Sequence, residues 1–450
     1  MSYDVIVVGG GFTGLAAAAA LARKGARVRV FEAAQGTAPQ FRGELIHPRG
    51  VRALASLELA APLFAAGGVA VHGFAVTRAA ADPAMVLAYG DDHGPGLGID
   101  HPQMVLTLRR EVGARRNVEL RTGARTVDFV REGARVRGVR LADGSEHRAE
   151  LVVVADGRQS KLRPLLGLEP QVTLLSHTIA FAVPGELPHG RLGHVFLGAP
   201  GPILAYPFGE GRVRFCVDVP LGAAKGREAI VELLTRRYAE AVPSPLREAM
   251  CAALREHPFE GAANHSMSTS ACAAPGVVLV GDAGGCAHPL TASGMTNAMN
   301  DVLTLAALVG EHGPSDDALN EYQRRRYDFV RMRELFTDAL YEVFRGEDEG
   351  TRALQAGVFH YWASSERSRR ASMDILSGED VRVSRFVAEY TRVFHRSAID
   401  ALRGLAREPL TGARRLGSLA RTSLGRVSQA VERTTRKVVD RYRLELQPLP

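Results

Sequence analysis

The sequence predicts an α/β (α+β) protein with three parts: a domain built on a buried parallel sheet, an interleaved domain built on a mostly antiparallel sheet, and a helical C-terminal region. Three observations support this fold class. A β-branched run at residues 5–8 ends in glycines and leads into an Ala-rich segment, which is typical of a buried strand followed by a helix. Segments of alternating polarity recur between residues 178 and 219, and helical patterning dominates from Asp316 onward.

The chain opens with a βαβ unit. Residues 5–8 form its first strand, residues 15–23 its helix and residues 27–31 its second strand, which ends at Glu32. Gly9, Gly11 and Gly14, with Phe12 and Thr13 between them, have the G-x-G-x-x-G spacing at the first turn. Such glycines let a pyrophosphate approach the helix N-terminus, and an acid at the end of the second strand binds ribose hydroxyls. The unit predicts dinucleotide binding; the alternative is an ordinary tight turn with a solvated Glu32.

The remaining elements follow in order along the chain. We expect a turn and helix at 44–59, a strand at 71–77, an exposed loop at 90–98, a helix at 104–111, and strands at 136–141 and 151–155 around the Asp143-Gly144 turn. Next come strands at 178–183, 194–197, 203–208 and 212–219, helical segments within 227–254, a strand at 277–280 and a helix at 295–309. The parallel-sheet domain then comprises residues 1–75, 101–170 and 276–335, the antiparallel-sheet domain residues 76–100 and 171–275, and the helical region residues 336–450.

Composition and charge exclude several classes of protein. The 450 residues carry a formal charge of +7, and residues 396–450, with twelve basic and five acidic side chains, account for all of it. This distribution, without a reader motif, argues against nucleic-acid binding. The four cysteines form no C-x-x-C pair, so neither a disulfide framework nor a metal site is indicated. We find no apolar stretch of about 18 residues and no signal peptide, and therefore expect a cytoplasmic protein, with peripheral contact at the inner face of a membrane as an alternative.

Two further motifs follow buried strands. Asp156-Gly157 ends the strand at 151–155 and precedes Ser160-Lys161, while Gly281-Asp282 ends the strand at 277–280. After Gly281-Asp282 come His288-Pro289-Leu290-Thr291 and then Gly294-Met295, where a helix begins. An acid at a strand end can bind a ligand polyol, and a helix N-terminus can face an anionic ring. Each motif alone is also compatible with an ordinary turn.

In this order and spacing, the three motifs resemble those of the FAD-dependent monooxygenases of the para-hydroxybenzoate hydroxylase fold. The resemblance implies a Rossmann-type FAD-binding domain with an interleaved antiparallel-sheet substrate domain. It is closest to the squalene monooxygenases (squalene epoxidases) and covers roughly residues 3 to 375. Residues 43–50 (GELIHPRG) look like that family's G-E-[FL]-L-Q-P-G-G, residues 107–110 (TLRR) like its S-L-R-K, residues 288–296 (HPLTASGMT) like its H-P-L-T-G-G-G-M-T, and residues 339–344 (ALYEVF) like its A-L-Y-E-L-F.

The resemblance assigns cofactor roles position by position. It implies that Glu32 binds the ribose, Arg109 the pyrophosphate region and Asp282 the ribityl chain, while Asp156 links the cofactor and substrate regions. The predicted FAD-binding residues are Gly9, Gly11, Phe12, Thr13, Gly14, Glu32, Arg42, Arg109, Asp156, Gly281, Asp282, Pro289, Gly294 and Met295. Arg42 directly precedes the matching Gly-Glu pair, whereas the family's arginine lies further upstream.

The chain also departs from the family pattern. His47 stands where the family has Gln, Arg49 where it has Gly, and Ala292 and Ser293 where it has two glycines. A positive φ at Ala292 or Ser293 would strain the backbone, because only glycine adopts that conformation freely.

Several side chains have two interpretations. His47 and His288 are the catalytic candidates, as a substrate contact and a proton donor respectively; His288 could instead be a loop histidine that caps a backbone carbonyl. Cys286 could tether a flavin or act as a redox switch, although a buried small thiol is the commoner case. Tyr206, Phe208 and Phe215 are substrate-contact candidates, since their strands belong to the sheet that walls the substrate cavity in this fold; the alternative is that they are core residues.

The C-terminal tail has an amphipathic pattern. Leu402, Leu405, Leu416, Leu419, Val427 and Val431 recur at helical spacing with arginines on the other face. Basic amphipathic helices bind anionic membranes, and the squalene monooxygenases have a C-terminal helical anchor, although this tail is more polar. Packing on the protein's own body is the alternative.

The predicted function is that of an FAD-dependent monooxygenase. The resemblance implies insertion of one oxygen atom from O2 into an apolar isoprenoid or prenylated substrate by C=C epoxidation through a flavin C4a-hydroperoxide. NAD(P)H or a partner flavin reductase would donate the electrons; the chain has no second G-x-G-x-x-G for a separate nicotinamide domain. The alternatives are an aromatic-ring or quinone hydroxylase, a prenyl-chain reductase, and a non-catalytic flavin- or lipid-binding accessory protein. A halogenase is disfavoured because Trp362 is the only tryptophan, so the W-x-W-x-I-P signature is missing.

Overall fold

A computed structural model of the chain describes residues 3–37, 42–209, 211–269, 271–407 and 417–420. The strands in these residues are β1 Tyr3–Val8, β2 Val28–Phe31, β3 Leu45–Ile46, β4 Val69–Val71, β5 Gly73–Thr77, β6 Met85–Ala88, β7 Gly96–Gly98, β8 Val118–Arg121, β9 Thr126–Glu132, β10 Arg135–Leu141, β11 Glu146–Val154, β12 Gln171–Pro184, β13 Gly193–Phe196, β14 Ile203–Gly209, β15 Arg212–Pro220, β16 Glu260–Ser268, β17 Ala273–Ala274 and β18 Val277–Leu279. The helices are α1 Phe12–Arg23, α2 Pro48–Ser56, α3 Ala60–Ala65, α4 His101–Gly113, α5 Arg227–Leu233, α6 Leu246–Glu256, α7 Gly294–His312, α8 Asp316–Arg345, α9 Glu349–Ser364, α10 Glu366–Ser377 and α11 Val383–Arg407.

The first sheet is the predicted parallel sheet. Its strand order is β17-β18-β11-β1-β2-β8, and β9 and β10 extend it as an antiparallel appendage on β11. Val5 of the central strand pairs in parallel with Leu151 on β11 and with Val28 on β2. The Ala-rich helix α1 packs on this sheet with nearly all its residues buried, since alanine allows close approach of helix to strand. The carboxyl ends of β1, β2, β11 and β18 therefore lie at one edge of the sheet.

The second sheet has seven strands in the order β16-β12-β15-β14-β13-β5-β6. Its neighbours are antiparallel except for the parallel pair β13 and β5. One face, which includes Val195 and Leu204, packs against the C-terminal helices α8 to α10. The opposite face, which includes Phe181 and Val217, is covered by α5 and α6. These two layers confirm the predicted α/β (α+β) fold class.

Some predicted elements were wrong in detail. Residues 96–98 are not part of an exposed loop but the buried strand β7, which pairs with β3 and β4 in a third, three-stranded sheet. A Cβ at Gly98 would lie 2.0 Å from the Pro207 carbonyl oxygen, so these glycines permit close packing rather than mark a loop. The predicted boundary at 75/76 falls inside β5, and the boundary at 335/336 falls inside α8. Strands β8, β9 and β16 were not predicted.

The apolar side chains in the described part of the tail are not all on one exposed face: one is exposed and one is buried. Leu402 on α11 is 55% exposed, whereas Leu419 is buried. Leu416, Val427, Val431 and the side chain of Leu405 lie outside the described residues. Among the helices that the structure describes, none combines the length and the apolarity needed to cross a bilayer. Within the same residues no cluster of side chains could ligate a metal ion.

Candidate active site

The turn between β1 and α1 has the geometry of an anion site. Gly14 packs so closely that a Cβ would lie 1.8 Å from the Gly9 carbonyl oxygen, whereas a Cβ on Gly11 would meet nothing within 4 Å. Gly11 is the N-cap of α1, and neither a side-chain cap nor an acidic residue occupies the first turn. The N–H groups in the first turn of α1, beginning at Phe12 and Thr13, therefore lie next to open space, where they can bind a negatively charged group.

Glu32 and Arg109, two of the predicted cofactor residues, lie beside this turn. The Glu32 carboxylate accepts hydrogen bonds from the Gly10 and Ala34 amides, at 2.6 Å and 2.8 Å. Arg109 Nε donates to the Gly10 carbonyl oxygen at 3.2 Å, and a terminal nitrogen of its guanidinium lies 3.9 Å from Glu32 Oε2. The structure thus places a carboxylate and a guanidinium together beside the glycine turn, where they can bind a ribose and a pyrophosphate.

Gly281 and Asp282 form a tight turn after β18. Gly281 has φ 59°, and a Cβ there would lie 2.8 Å from Thr13 Oγ1, which packs this turn directly against α1. The guanidinium of Arg158 lies 3.6 Å from Asp282 Oδ2. Desolvation raises the pKa of the Asp282 carboxyl, against the opposing charges of Arg158, Arg326 and Arg42. Arg42 itself is exposed, and its charge acts on the same carboxyl.

Asp156 organises the turn after β11. Its Oδ2 accepts hydrogen bonds from Ser160 Oγ at 2.9 Å and from the Lys161 amide at 3.2 Å. Its Oδ1 is buried and has no hydrogen-bond partner among the described residues. Burial raises the pKa of this carboxyl. An unpartnered oxygen at this edge of the sheet is a ready acceptor for a bound ligand.

The segment from His288 to Met295 joins the Gly281-Asp282 turn to α7. Pro289–Thr291 form one turn of 3-10 helix, and Ala292 then takes φ 49°, so the predicted strain falls on Ala292 and not on Ser293, whose φ is −93°. Helix α7 begins at Gly294 without a side-chain cap or an acid in its first turn. A Cβ on Gly294 would meet nothing within 4 Å, and the Met295 side chain lies against Gly43.

These features fit FAD. Two helix N-termini with unpaired amides face open space, one at Gly11 and one at Gly294, as the pyrophosphate and the electron-rich edge of the flavin ring require. Glu32 stands at the end of β2, where its carboxylate can bind ribose hydroxyls, and Asp282 follows β18, which β11 and β1 separate from β2. The structure gathers most of the predicted cofactor residues at one edge of the parallel sheet.

An apolar cavity opens next to this edge. It encloses about 1010 Å³ of space, part of it open to solvent, between the second sheet and helices α8 to α11. Its surface is almost entirely hydrocarbon, and Leu290 and Thr291 of the 3-10 turn form part of its wall. Other lining residues are Phe74, Leu87, Leu204, Leu340, Val358, Trp362, Ile375 and Phe386.

His47 does not line this cavity; it joins two loops beside it. The imidazole is fully buried, with Nδ1 at 2.7 Å from the Tyr89 hydroxyl and Nε2 at 2.8 Å from the Thr291 carbonyl oxygen. Because a carbonyl can only accept, Nε2 carries the proton and Tyr89 donates to Nδ1. Burial lowers the pKa of His47 to about 4. The predicted substrate contact is therefore not supported: both ring nitrogens are used by the protein, and His47 acts as a positioning residue.

The aromatic candidates on the second sheet have different positions. Phe215 is on the face covered by α5 and α6, where it stacks on Phe181 at 5.3 Å, so its prediction as a substrate contact was wrong. Its side chain points away from the cavity because side chains alternate along a strand. Tyr206 and Phe208 point to the other face but do not line the cavity. They surround the Arg214 guanidinium and its partner Glu44 instead.

His288 and Cys286 are also engaged by the protein. The imidazole of His288 is buried, and its Nδ1 accepts a hydrogen bond from the Leu290 amide at 3.1 Å. The ring therefore caps a backbone amide of the loop and not a backbone carbonyl. Cys286 Sγ lies 3.7 Å from the His265 carbonyl oxygen. Burial raises the pKa of this thiol to about 12, which leaves it protonated and unreactive near neutral pH.

Comparison with known proteins agrees with this geometry. A squalene epoxidase family model matches residues 148–408, and a model of NAD(P)-binding Rossmann-like domains matches residues 7–65. Squalene epoxidase 2 of Arabidopsis thaliana is 31% identical over 408 residues, which cover 87% of this chain and 69% of that protein. Squalene epoxidase erg1 of Aspergillus fumigatus is 30% identical over 380 residues, which cover 80% and 79%. The chain belongs to the squalene epoxidase family.

Solved structures add the cofactor. HpxO of Klebsiella pneumoniae, complexed with FAD and uric acid, is 25% identical with a TM-score of 0.70, covering 83% of this chain and 96% of HpxO. The p-nitrophenol 4-monooxygenase PnpA of Pseudomonas putida shares the fold with a TM-score of 0.72 at 20% identity, covering 84% and 99%. This squalene epoxidase family member is accordingly an FAD-dependent monooxygenase, and the predicted resemblance is confirmed.

Sequence reasoning missed the buried side chains that hold the Gly281 and Asp156 turns in place. Asp301 on α7 accepts hydrogen bonds from the Gly281 amide and from Arg326 Nε, both at 2.9 Å, and both side chains are buried. Arg163 donates to the Ala283 carbonyl oxygen at 3.0 Å and so ties the Asp156 turn to the Gly281 turn. One signal was present: Asp301 is the only charged residue among residues 294–310. An isolated acid inside an apolar helix indicates a buried partner.

Proposed function

We propose that this enzyme epoxidises a C=C bond of an apolar isoprenoid or prenylated substrate. The observation that supports this substrate class most directly is the cavity beside the 3-10 turn, whose walls are almost wholly hydrocarbon. Burial of alkyl chain in such a cavity contributes about 0.8 kcal/mol per CH2, so a long olefin gains affinity without any hydrogen bond. A polar substrate would lose hydrogen bonds to water there and gain few in return.

Two polar side chains on the cavity wall, Glu389 and Ser372, are already engaged by the protein. Glu389 on α11 accepts hydrogen bonds from Tyr361 and from Arg392, and lies 3.3 Å from Arg385. Ser372 on α10 accepts a hydrogen bond from Trp362 Nε1 at 2.9 Å. These contacts reduce the attraction of the wall for a phenol or a carboxylate and favour the olefin over the aromatic-ring or quinone hydroxylase alternative.

The tasks of this chain follow from that substrate. FAD, when bound, supplies the redox chemistry that activates O2. The residues of the chain hold the cofactor at the two helix N-termini, place the olefin against the Leu290-Thr291 turn, and exclude water from the space between them. Exclusion of water matters because water would divert reduced cofactor and O2 to peroxide without oxygen transfer. The apolar wall performs this task with no nucleophile or metal.

The electron donor is part of the proposal. The described chain contains one dinucleotide-type glycine turn, which the FAD would occupy. We therefore expect NAD(P)H to act by transient contact or through a partner flavin reductase. Anaerobic mixing of the FAD-loaded enzyme with NADPH or NADH, with and without an added reductase, separates these routes through the rate of loss of flavin absorbance.

Incorporation of 18O from labelled O2 tests the function. The FAD-loaded enzyme is supplied with electrons and with squalene, shorter prenyl olefins and phenols, and products are identified by mass spectrometry. We expect one labelled oxygen per olefin, as an epoxide. Label only in phenols would establish the hydroxylase; a saturated product without O2 uptake would establish the reductase. Absence of both FAD binding and electron consumption would leave an accessory protein.

A pair of valine variants links the product to the cavity. Val358→Phe places a ring in the cavity, whereas Val127→Phe places the same ring on β9, where the side chain is 44% exposed. We expect Val358→Phe to raise the KM for the longest olefin at least tenfold while FAD binding is unchanged, because about two buried methylenes are worth this factor. Equal effects from the two variants would show that the cavity is not where the substrate binds.

A further inference from the structure

Five elements meet at one buried carboxylate behind the 3-10 turn. Asp218 on β15 is 4% exposed. Its Oδ1 accepts hydrogen bonds from Ser176 Oγ on β12 and from Asn264 Nδ2 on β16, the latter at 3.3 Å, and its Oδ2 accepts one from the Tyr341 hydroxyl on α8 at 3.1 Å. His288 Nε2 lies 3.3 Å from Oδ1. No arginine or lysine of the described chain lies within ion-pair distance, so neutral donors alone compensate this carboxylate.

This arrangement determines which nitrogen of His288 carries a proton. Nδ1 accepts the Leu290 N–H at 3.1 Å and therefore has no proton of its own. The proton lies on Nε2, which faces Asp218 and, at 3.0 Å, Ser176 Oγ. The Tyr341 ring stacks on the imidazole with 4.0 Å between ring centroids, which fixes the orientation of the imidazole plane.

The fixed imidazole in turn shapes the cofactor-facing turn. Its hydrogen bond to the Leu290 amide starts the 3-10 turn of Pro289–Thr291, whose Leu290 and Thr291 line the cavity. The turn ends at Ala292 in the left-handed conformation, which costs about 1–2 kcal/mol and persists only where the surroundings enforce it. Helix α7 starts two residues later at Gly294. Asp218 is thus connected to the turn before α7 through two contacts, one from Asp218 to His288 and one from His288 to the Leu290 amide.

We propose that Asp218 is a positioning residue for the cofactor-facing turn, and that it acts by holding His288 with the proton on Nε2. Asp218 touches neither the cavity nor the predicted cofactor site, so it is not a catalytic residue. The proposal rests on the proposed function for the role of this turn beside the cofactor. The link from Asp218 to His288 to Leu290 is structural, and it can be tested without any substrate.

Asp218→Asn is the primary variant. Asparagine has one acceptor oxygen for four donors, and its NH2 group would face Nε2–H or a hydroxyl as a second donor. We expect the His288 proton to move to Nδ1, where it opposes the Leu290 N–H and opens the turn. Loss of a hydrogen bond to a charged group predicts an increase of about tenfold in the Kd for FAD, and a larger fraction of electrons lost to peroxide. Asp143→Asn, on an exposed turn, is the matched control.

Three measurements make the test decisive. 15N spectra of the histidine-labelled protein without cofactor report which His288 nitrogen is protonated, with His288→Asn assigning the signal. FAD titration gives the Kd, and the ratio of oxygenated product to NAD(P)H consumed gives the coupling. If no substrate is oxidised, the proposed function fails, but the 15N spectra and the FAD titration still test the role of Asp218.

A double-mutant cycle distinguishes positioning from general stability. In His288→Asn, the Oδ1 of the new side chain can still accept the Leu290 N–H, and no tautomer remains to be fixed. We expect Asp218→Asn to change the Kd for FAD by less than about twofold in this background, because the two residues act through one contact. Additive effects of the two substitutions, or an unchanged His288 tautomer in Asp218→Asn, would overturn the proposal.

Discussion

The carboxylate of Glu44 and the guanidinium of Arg214 form two parallel hydrogen bonds of 2.8 Å, and both side chains are buried. Glu44 belongs to the Gly-Glu motif before β3, and Arg214 belongs to β15 of the second sheet. The Tyr206 hydroxyl also donates to Glu44, at 3.4 Å, and the Phe208 ring lies 4.4 Å from the centre of the guanidinium. The pair therefore joins the segment before β3 to the second sheet, which forms part of the wall of the apolar cavity.

Removal of Arg214 should destabilise the protein strongly. In Arg214→Met the Glu44 carboxylate stays buried without its cation, which costs about 3–5 kcal/mol of the free energy of unfolding. Adding Glu44→Gln should recover part of this loss, because the uncompensated charge is then gone. Urea unfolding followed by circular dichroism measures both variants. Arg212→Met on the same strand is the control, and its exposed side chain predicts a change below about 1 kcal/mol; equal losses in the two arginine variants would contradict the assignment.

A substitution in the glycine turn should weaken cofactor binding without affecting folding. Gly11 has room for a methyl group, so Gly11→Ala should fold normally, yet that methyl would stand in the open space beside the α1 N-terminus. We expect its Kd for FAD to rise at least tenfold, since one such charge-assisted contact is worth about 1.5–3 kcal/mol. Gly113→Ala, at the end of α4 with equal space around it, should leave the Kd unchanged. Flavin fluorescence quenching measures both values, and tight FAD binding by Gly11→Ala would place the pyrophosphate elsewhere.

His47 should make stability depend on pH. Its pKa is about 4 in the folded protein and 6.5 ordinarily, so between these values the unfolded chain binds a proton that the folded protein does not. The stability contributed by neutral His47 is complete above pH 6.5 and declines as the pH falls toward 4, by up to about 1.4 kcal/mol per pH unit. His47→Gln keeps an N–H for the Thr291 carbonyl but cannot titrate. The difference in unfolding free energy between the two proteins should therefore shrink as the pH falls from 7 to 4.5; a constant difference would contradict the prediction.

Local sequence patterns predicted the parts of the site that depend on one short segment. The glycine turn, Glu32 at the end of β2, Gly281-Asp282 and the strained Ala292 each follow from residues adjacent in the chain, so a motif is enough to place them. The side-chain roles of His47 and Phe215 could not be predicted in this way. The role of His47 is determined by its hydrogen bonds to Tyr89 and to Thr291, which is 244 residues away. The role of Phe215 is determined by the face of the sheet on which its strand register places it.

The interactions that the sequence did not predict join residues that are far apart in the chain. Asp301 with Arg326, Glu44 with Arg214, and Asp218 with His288 join residues that lie 25, 170 and 70 positions apart, and each pair is buried. Nothing near either partner in the sequence specifies the other. Short two-residue and three-residue strands such as β3 and β7 were missed because their pairing depends on glycines that allow close backbone contact rather than on alternating polarity.

The left-handed residue at the end of the 3-10 turn supplies the last prediction. Ala292 has φ 49° and ψ 24°, where an L-residue is strained by about 1–2 kcal/mol, while the family pattern has glycine. Ala292→Gly should remove this strain, and after the greater entropy of glycine in the unfolded chain is subtracted, the gain should be about 0.5–1 kcal/mol. Ala55→Gly, on the exposed face of α2, should instead cost about 1 kcal/mol. Thermal unfolding of both variants measures the two shifts, and a loss of stability in Ala292→Gly would mean that the methyl group contributes more by packing than it costs in strain.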